Sequence, residues 1–80
     1  MKLTKAQEKH HEDSLIKLGE RIVQLRKKKK LSQNDLAYLM GWDKPNLRKI
    51  EHGRGNPTYK TLLLLAEGLG VGLQELIDIK

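Results

Sequence analysis

An apolar stripe begins at position 15 of this 80-residue chain and predicts the first helix. Leu15, Leu18, Ile22 and Leu25 recur at the 3.6-residue period of an amphipathic helix. We expect this helix over residues 13–29, ending in a run of four lysines that suits the negative end of the helix dipole. The preceding segment, residues 1–14, has too few apolar positions to bury a helix face and is predicted to form a polar, flexible N-terminal arm, with a helical end of the arm as the open alternative.

Two short helices are predicted next. Ser32, followed three positions later by Asp35, has the form of an N-cap with its capping-box partner, so helix two is expected over residues 33–40. Gly41 ends it, because glycine adopts a left-handed conformation without a Cβ penalty. Asp43 is then expected to cap helix three, residues 44–52, whose first turn tolerates Pro45.

The C-terminal part predicts two more helices. A Gly- and Pro-containing loop over residues 53–57 precedes Thr58, an expected N-cap for helix four over residues 59–67, which either Gly68 or Gly70 is expected to end. Helix five is expected over residues 73–79. Because no stretch alternates with a period of two, we predict no strand. The predicted fold class is all-α, a compact five-helix domain spanning residues 15–80.

Helices two and three have the plan of a helix-turn-helix: eight residues, a glycine turn and a second short helix. Ala37 supplies the small residue that a close helix crossing needs. At about 100° per residue, one face of helix three is expected to be buried and the other exposed. The inner set is Asp43, Leu47, Ile50 and Glu51, and the outer set is Pro45, Arg48, Lys49 and His52.

The positive charge of the chain indicates a function for the outer face of helix three. The chain has 16 Lys and Arg against 10 Asp and Glu, a net charge of +6, and a basic balance suits a nucleic-acid partner. Lys44 stands at the N-terminal end of helix three, where the helix dipole disfavours a cation, and this broken local rule indicates a function. The negative potential of a DNA major groove would explain it.

Several function classes are not expected. The absence of cysteine excludes disulfides, thiol catalysis and Cys-ligated zinc. No apolar run approaches the ~20 residues of a membrane span, and no signal peptide is recognisable, so we expect a cytoplasmic protein without a membrane partner. The contiguous His10, His11, Glu12 and Asp13 are a poor metal site. Since no nucleophile, base and orienting acid can be assembled, neither an enzyme nor a cofactor is expected.

Residues 18–77 resemble the phage-repressor-like helix-turn-helix family, also called the Cro/C1 or XRE family, and the resemblance implies a lambda-repressor-like fold. The matching residues are Leu25, Arg26, Leu31, Ser32, Gln33, Leu36, Ala37, Gly41, Leu47, Ile50, Glu51, Gly53, Asn56, Pro57, Thr61, Leu62, Leu65, Ala66, Leu69, Gly70, Val71, Leu73, Glu75 and Leu76. So many matches in one register make the resemblance specific.

The resemblance implies which residues touch DNA. Lys44, Pro45 and Lys49 fall at base-contacting positions, with Asn46 and Arg48 beside them. Pro45 departs from the family pattern, because it has no polar side chain and could only make an apolar contact, for example with a thymine methyl. The residues expected at the DNA backbone are Gln33, Asp43, Arg54 and Lys60.

The fold itself is expected to contain two further features. Arg26 lies beside the core stripe and Glu51 on the inner face of helix three, and the resemblance implies that they form a buried ion pair. Trp42, in the turn, is expected to be a partly buried staple between helices. The apolar residues of the last helix exceed what docking of that helix requires, and with the end of helix four they predict a homodimer interface: Leu73, Leu76, Ile77 and Ile79.

The function expected from these features is sequence-specific binding of a double-stranded DNA operator to regulate transcription. A single recognition helix reads few bases, so a homodimer on a two-fold operator is expected. Small regulators of this kind include Cro-like repressors, controller proteins of restriction-modification systems and antitoxin-type autoregulators. The alternative is a protein-protein adaptor or coactivator that uses the same fold, although an adaptor has no need of a cationic outer face on helix three.

Overall fold

The computed structural model describes residues 2–79 and contains five helices. They are α1 (Lys5–Lys28), α2 (Gln33–Met40), α3 (Lys44–Glu51), α4 (Tyr59–Leu69) and α5 (Leu73–Leu76). The prediction of an all-α domain with a helix-turn-helix is confirmed, and the described residues contain no strand. The bounds of α2 agree with the prediction, and those of α3 differ by one residue.

The first helix begins earlier than predicted, so the expectation of a flexible arm over residues 1–14 is wrong from Lys5 onward. Thr4 caps the helix: its hydroxyl accepts from the Gln7 amide at 3.1 Å, and the Gln7 side chain accepts from the Thr4 amide at 2.9 Å. Both orphan donors are therefore satisfied locally. The side chains from residue 5 to residue 13 are exposed, so this part of α1 is helical without packing on the core.

The core joins all five helices. Seven large apolar side chains are almost completely buried in it: Ile22, Leu25, Leu36, Leu47, Leu65, Leu69 and Leu76. They come from every helix, so each helix contributes at least one anchor. Burying side chains of this size contributes about 1.5 to 3 kcal/mol each and holds the short helices, which would be marginal in isolation.

Two glycines allow α1 and α3 to approach closely. A Cβ at Gly19 would collide with the backbone carbonyls of Ile50 and Glu51 at the end of α3. Gly53, which follows α3 with a φ of 76°, would place a Cβ 2.8 Å from the Cα of Ile16. The end of α3 is therefore held against α1 at a distance that only glycine permits on both sides.

The C-terminal helices differ from the prediction at their ends. Helix α4 continues to Leu69 and ends at Gly70 in the left-handed conformation, whereas Gly68 lies within the helix against Leu36. Helix α5 is a single turn ending at Leu76 rather than at Ile79. Arg21 of α1 holds that turn, because its Nε and Nη2 both donate to the Glu75 carbonyl, at 3.0 and 2.9 Å.

Candidate nucleic-acid interface

The turn between α2 and α3 has the geometry that the sequence predicts. Ser32 and Asp35 form a reciprocal capping box at the start of α2, with distances of 2.9 and 3.0 Å. Gly41 adopts a φ of 68°, and the Trp42 amide then donates to the Ala37 carbonyl at 2.8 Å. Trp42 is half-buried against the core, as expected of a staple. The turn thereby fixes where α3 begins.

The capping box also sets the charge at the start of α2. The Ser32 backbone N–H donates to the Asp35 carboxylate, and this bond is the main reason why the pKa of Asp35 lies below its ordinary value of 3.8. A hydrogen bond with the Ser32 hydroxyl lowers the pKa of Asp35 further. Asp35 is therefore ionised at neutral pH, which suits the positive end of the α2 dipole.

Helix α3 has one buried face and one exposed face. Leu47, Ile50 and Glu51 are buried, whereas Pro45, Arg48, Lys49 and His52 are exposed and Lys44 is half-buried. The two faces agree with the prediction except at Asp43, which is exposed rather than directed to the core.

Asp43 also lacks the predicted capping hydrogen bond. Its carboxylate instead accepts from the Asn46 side-chain amide at 2.6 Å. Because Pro45 has no N–H, a capping bond could go only to the Asn46 backbone N–H, and the carboxylate binds the Asn46 side chain instead. The Asp43–Asn46 pair lies at the exposed end of α3 and orients the Asn46 amide.

A buried polar network holds the inner face of α3. Arg26 of α1 binds the two oxygens of Glu51 through Nε and Nη2, at 2.8 and 3.1 Å, and donates from Nη1 to the Leu31 carbonyl at 3.0 Å. The side chains of Arg26 and Glu51 are 11% and 2% exposed. The expected ion pair is therefore present, and its fork geometry fixes the direction of both groups.

Gln33 completes this network. Its side-chain Nε2 donates to Glu51 Oε1 at 2.8 Å, so the first residue of α2 braces the last residue of α3. The phosphate contact expected of Gln33 stays a prediction. Since three helices meet at one carboxylate, the orientation of α3 is set by charge-assisted bonds as well as by apolar packing.

Arg54 and Lys60, the other predicted backbone contacts, are both exposed, Arg54 in the loop after α3 and Lys60 in the first turn of α4. The Arg54 amide donates to the Lys49 carbonyl at 2.9 Å, which ties the loop after α3 to the helix. A shallow recess of about 160 Å³ separates this loop from α3, and Asn46, Lys49 and Gly55 are part of its lining. A Cβ at Gly55 would lie 3.3 Å from Lys49 Cε, so this glycine leaves room for the lysine stem.

The cations of this surface have no acidic partner. Within residues 2–79, the Arg26–Glu51 pair is the only salt bridge, so the cations predicted to contact DNA have none: Lys44, Arg48, Lys49, Arg54 and Lys60. A positive surface without counter-charges attracts anions and retains its potential over about 8 Å at physiological salt.

The predicted dimer residues occupy different environments. Leu76 is completely buried in the core of its own chain, so its assignment to a dimer interface is wrong. Leu73 and Ile79 are half-buried against the same core, and Ile77 alone is 44% exposed. The apolar pattern of the last helix arises mainly because α5 must dock on α1 and α4, as its contacts with both helices indicate.

Sequence reasoning missed the contacts of three residues: Gly19 and Gly53, between α1 and α3, and Arg21, beside α5. A glycine inside a helix is destabilising by about 1 kcal/mol, so Gly19 within the apolar stripe was a signal of a packing constraint. The match at Gly53 indicated a turn, but not its contact with Ile16. No local pattern links Arg21 to Glu75, because the contact spans 54 positions.

The described part of the chain, residues 2–79, contains neither a cluster of metal-ligating side chains nor a helix suited to span a membrane. No group of three or more His, Cys, Asp or Glu side chains lies close enough together to hold a metal ion, and this includes the region of His10 and His11. None of the helices combines the length and the apolar character that crossing a membrane requires.

Known proteins share both the fold and the sequence pattern. The controller protein C.AhdI from Aeromonas hydrophila, a restriction-modification protein, is 39% identical with a TM-score of 0.75, over 78% of this chain and 94% of that structure. The restriction-modification controller protein C.Esp1396I is 33% identical with a TM-score of 0.73, over 80% of this chain and 87% of that one. Another structure holds C.Esp1396I as a tetramer in complex with its natural 35 base-pair operator.

Sequence comparison also relates this chain to helix-turn-helix regulators. The uncharacterized HTH-type transcriptional regulator y4dJ of Sinorhizobium fredii is 38% identical over 60 residues, which are 75% of this chain and 78% of the relative. The family model described as helix-turn-helix matches residues 22–76, which include the α2–α3 unit and the buried network. This chain therefore belongs to the XRE-type helix-turn-helix family.

Proposed function

We propose that this protein is a sequence-specific, DNA-binding regulator of transcription that inserts α3 into the major groove of double-stranded operator DNA. The observation that carries the proposal is the division of α3 into two faces. Its buried face is occupied by the core and by the Glu51 network, whereas its exposed face carries cations without acidic partners. The HTH-type regulator y4dJ and the controller proteins are relatives of this chain, and they support the same function.

The residues of the outer face divide by their chemistry. Lys44, Arg48 and Lys49 are suited to guanine N7 and O6, and Asn46 to adenine, with Pro45 as an apolar contact for a thymine methyl. Gln33, Arg54 and Lys60 are suited to phosphates, which position the protein without reading sequence. Because Asp43 is an anion, we assign it a phosphate contact only through its backbone N–H.

We also propose that the protein acts as a homodimer on a two-fold operator. Symmetric dimers of this motif place two recognition helices about 34 Å apart in successive major grooves. The tetramer of C.Esp1396I on its operator is consistent with assembly from such units. The last twenty residues contain three acids, Glu67, Glu75 and Asp78, against one lysine, so this end suits contact with a second copy better than contact with DNA. Ile77 is its exposed apolar residue.

The proposed activity consists of binding alone, so it requires neither catalysis nor a cofactor. We infer a cytoplasmic location from the same ligand, because a regulator must share a compartment with its operator DNA.

Selection from a pool of random-sequence duplexes tests the proposal. After several rounds in about 150 mM salt, we expect one enriched two-fold site, bound on the order of 10³-fold or more tightly than the starting pool. A control variant that keeps every cation of α3 but lacks two distant ones, Lys5→Ala with Lys9→Ala, should select the same site. Binding without sequence preference at every salt concentration would contradict the proposal. Absence of DNA binding would favour the adaptor alternative.

A further inference from the structure

The end of α1 carries the densest positive charge of the chain. Residues 21–34 contain six cations and no acid, whereas residues 5–20 contain three lysines against four acids. Five of these cations are consecutive, and we call the four that follow Arg26 the lysine run: Lys27, Lys28, Lys29 and Lys30. All four are exposed, and none has a carboxylate within 4 Å in the part of the chain that the structure describes.

The backbone of Lys30 indicates that the run is more than a helix end. Four helices finish with the same hydrogen bond from an amide to the carbonyl five positions earlier: Leu31 to Arg26, Trp42 to Ala37, Arg54 to Lys49 and Val71 to Ala66. The residue before each amide is left-handed. It is glycine in three cases, Gly41, Gly53 and Gly70, but Lys30 in α1, with a φ of 59°.

Lys30 is the only residue other than glycine with a positive φ among residues 2–79. Glycine would adopt this conformation without a Cβ penalty, so the lysine is present at a conformational cost. A helix end that needed only to stop would have glycine there. A side chain that breaks a local rule without structural gain indicates a role outside the fold.

The buried network places the lysine run beside the proposed DNA-binding surface. Arg26 immediately precedes the run and is bound to Glu51 of α3. Two residues separate Lys30 from Gln33, which is bound to the same Glu51, so the Cα atoms of Lys30 and Gln33 are at most about 10 Å apart. The lysine run is therefore close in the chain to Gln33, which the proposed function assigns to the DNA backbone.

We propose that the lysine run binds backbone phosphates of DNA that flank the segment occupied by α3. This inference rests on the proposed function, because it requires α2 and α3 to face DNA. Duplex DNA presents one negative charge per about 1.7 Å of its axis, so several phosphates lie within reach of four adjacent lysines. The contacts carry no sequence information and extend the footprint of each protomer outward.

Two variants of the full chain test this site against a matched control. Lys28→Gln with Lys29→Gln removes two charges, and Lys30→Gly removes one while relieving the left-handed residue. The control is Lys5→Gln with Lys9→Gln, on the same helix and about 34 and 28 Å from Lys28, respectively, at 1.5 Å per residue. Each is measured by fluorescence anisotropy, as a function of salt, on a mixed-sequence duplex and on the duplex selected by the wild type.

We expect the negative slope of log K against log salt to become shallower by about two for the double variant and by about one for Lys30→Gly, equally on both duplexes. The control should change neither slope. Lys30→Gly should retain or raise the melting temperature, which separates loss of a contact from loss of the fold. Hydroxyl-radical footprints of the double variant should lose protection at the outermost phosphates.

Unchanged slopes for both lysine-run variants on a duplex that the wild type binds selectively would overturn the inference and leave the proposed function standing. An equal decrease in the control would also overturn it, because the effect would then be one of net charge. If the wild type binds DNA without sequence preference but the lysine-run variants still lose slope, the inference holds and the proposed function fails.

Discussion

The Glu51 carboxylate controls how α3 is presented, because three donors from two other helices converge on its two oxygens. In Glu51→Gln one oxygen becomes an NH₂ group that faces a donor, and the Arg26 charge loses its counter-ion. We expect a loss of about 3 to 5 kcal/mol in the free energy of unfolding, measured by urea denaturation at neutral pH. Glu67→Gln, the same change at an exposed site, should be almost neutral. A Glu51→Gln variant as stable as the wild type would show that the pair is dispensable.

Gly19 is a second residue on which the position of α3 depends. A methyl group there would lie 2.7 Å from the Ile50 carbonyl oxygen and closer still to that of Glu51, and backbone atoms cannot rotate away. We expect Gly19→Ala to destabilise the protein by about 1 to 3 kcal/mol, despite the better helix propensity of alanine. Gly72→Ala is the control, because nothing lies within 4 Å of its Cβ and its φ is −76°, and it should change stability by less than about 1 kcal/mol. Equal effects in thermal denaturation would contradict the close approach.

Among the elements, α2 carries a pH-dependent cap. The folded pKa of Asp35 lies below its ordinary value of 3.8, so the ionised cap stabilises α2 above that pH and is lost as the pH falls through the folded pKa. We therefore expect the difference in melting temperature between wild type and Asp35→Asn to be constant near neutral pH and to shrink below about pH 4. A difference that does not change across this range would mean that the carboxylate charge is irrelevant to the cap.

The elements also differ in how far the sequence determines them. Helix α2 was predictable to the residue, because Ser32, Asp35 and Gly41 act within a few positions of one another. The start of α1 was not, since the apolar stripe begins at Leu15 and the capped, exposed turns before it have no apolar period. A capping box can begin a helix whose first turns bury no side chain, and Thr4 with Gln7 was the sequence signal for this helix start.

At the scale of the whole molecule, sequence pattern could not decide which neighbour covers an apolar residue. Leu76 and Ile77 are adjacent and equally apolar, yet the first is buried in its own core and the second is exposed. The cationic face of α3 was predictable because α3 packs on one side only, so helical period alone separates Leu47 from Arg48. The approach of α1 to α3 at Gly19 depends on distant backbone and has no local pattern.

Because Leu76 is buried and Ile77 is exposed, substitutions at the two positions should affect stability and dimer formation, respectively. Leu76→Ala should cost about 2 to 5 kcal/mol of unfolding free energy by leaving a cavity in the core. Ile77→Glu should leave the fold intact but raise the dimer dissociation constant at least tenfold, about 1.4 kcal/mol, measured by sedimentation equilibrium. Leu39→Glu, at an exposed leucine of α2, is the control and should not alter association. A wild type that is monomeric at high micromolar concentration would exclude the proposed homodimer.

The central claim is that α3 reads bases while the neighbouring loop holds the backbone, and the affinities of Lys49→Ala and Arg54→Ala for operator and random duplexes test it most directly. Lys49→Ala should lose about 1 to 3 kcal/mol on the selected operator and relax its sequence preference. Arg54→Ala should weaken binding to both duplexes alike and reduce the salt slope by about one. If both variants weaken operator and random DNA by the same factor, α3 is not the reading element.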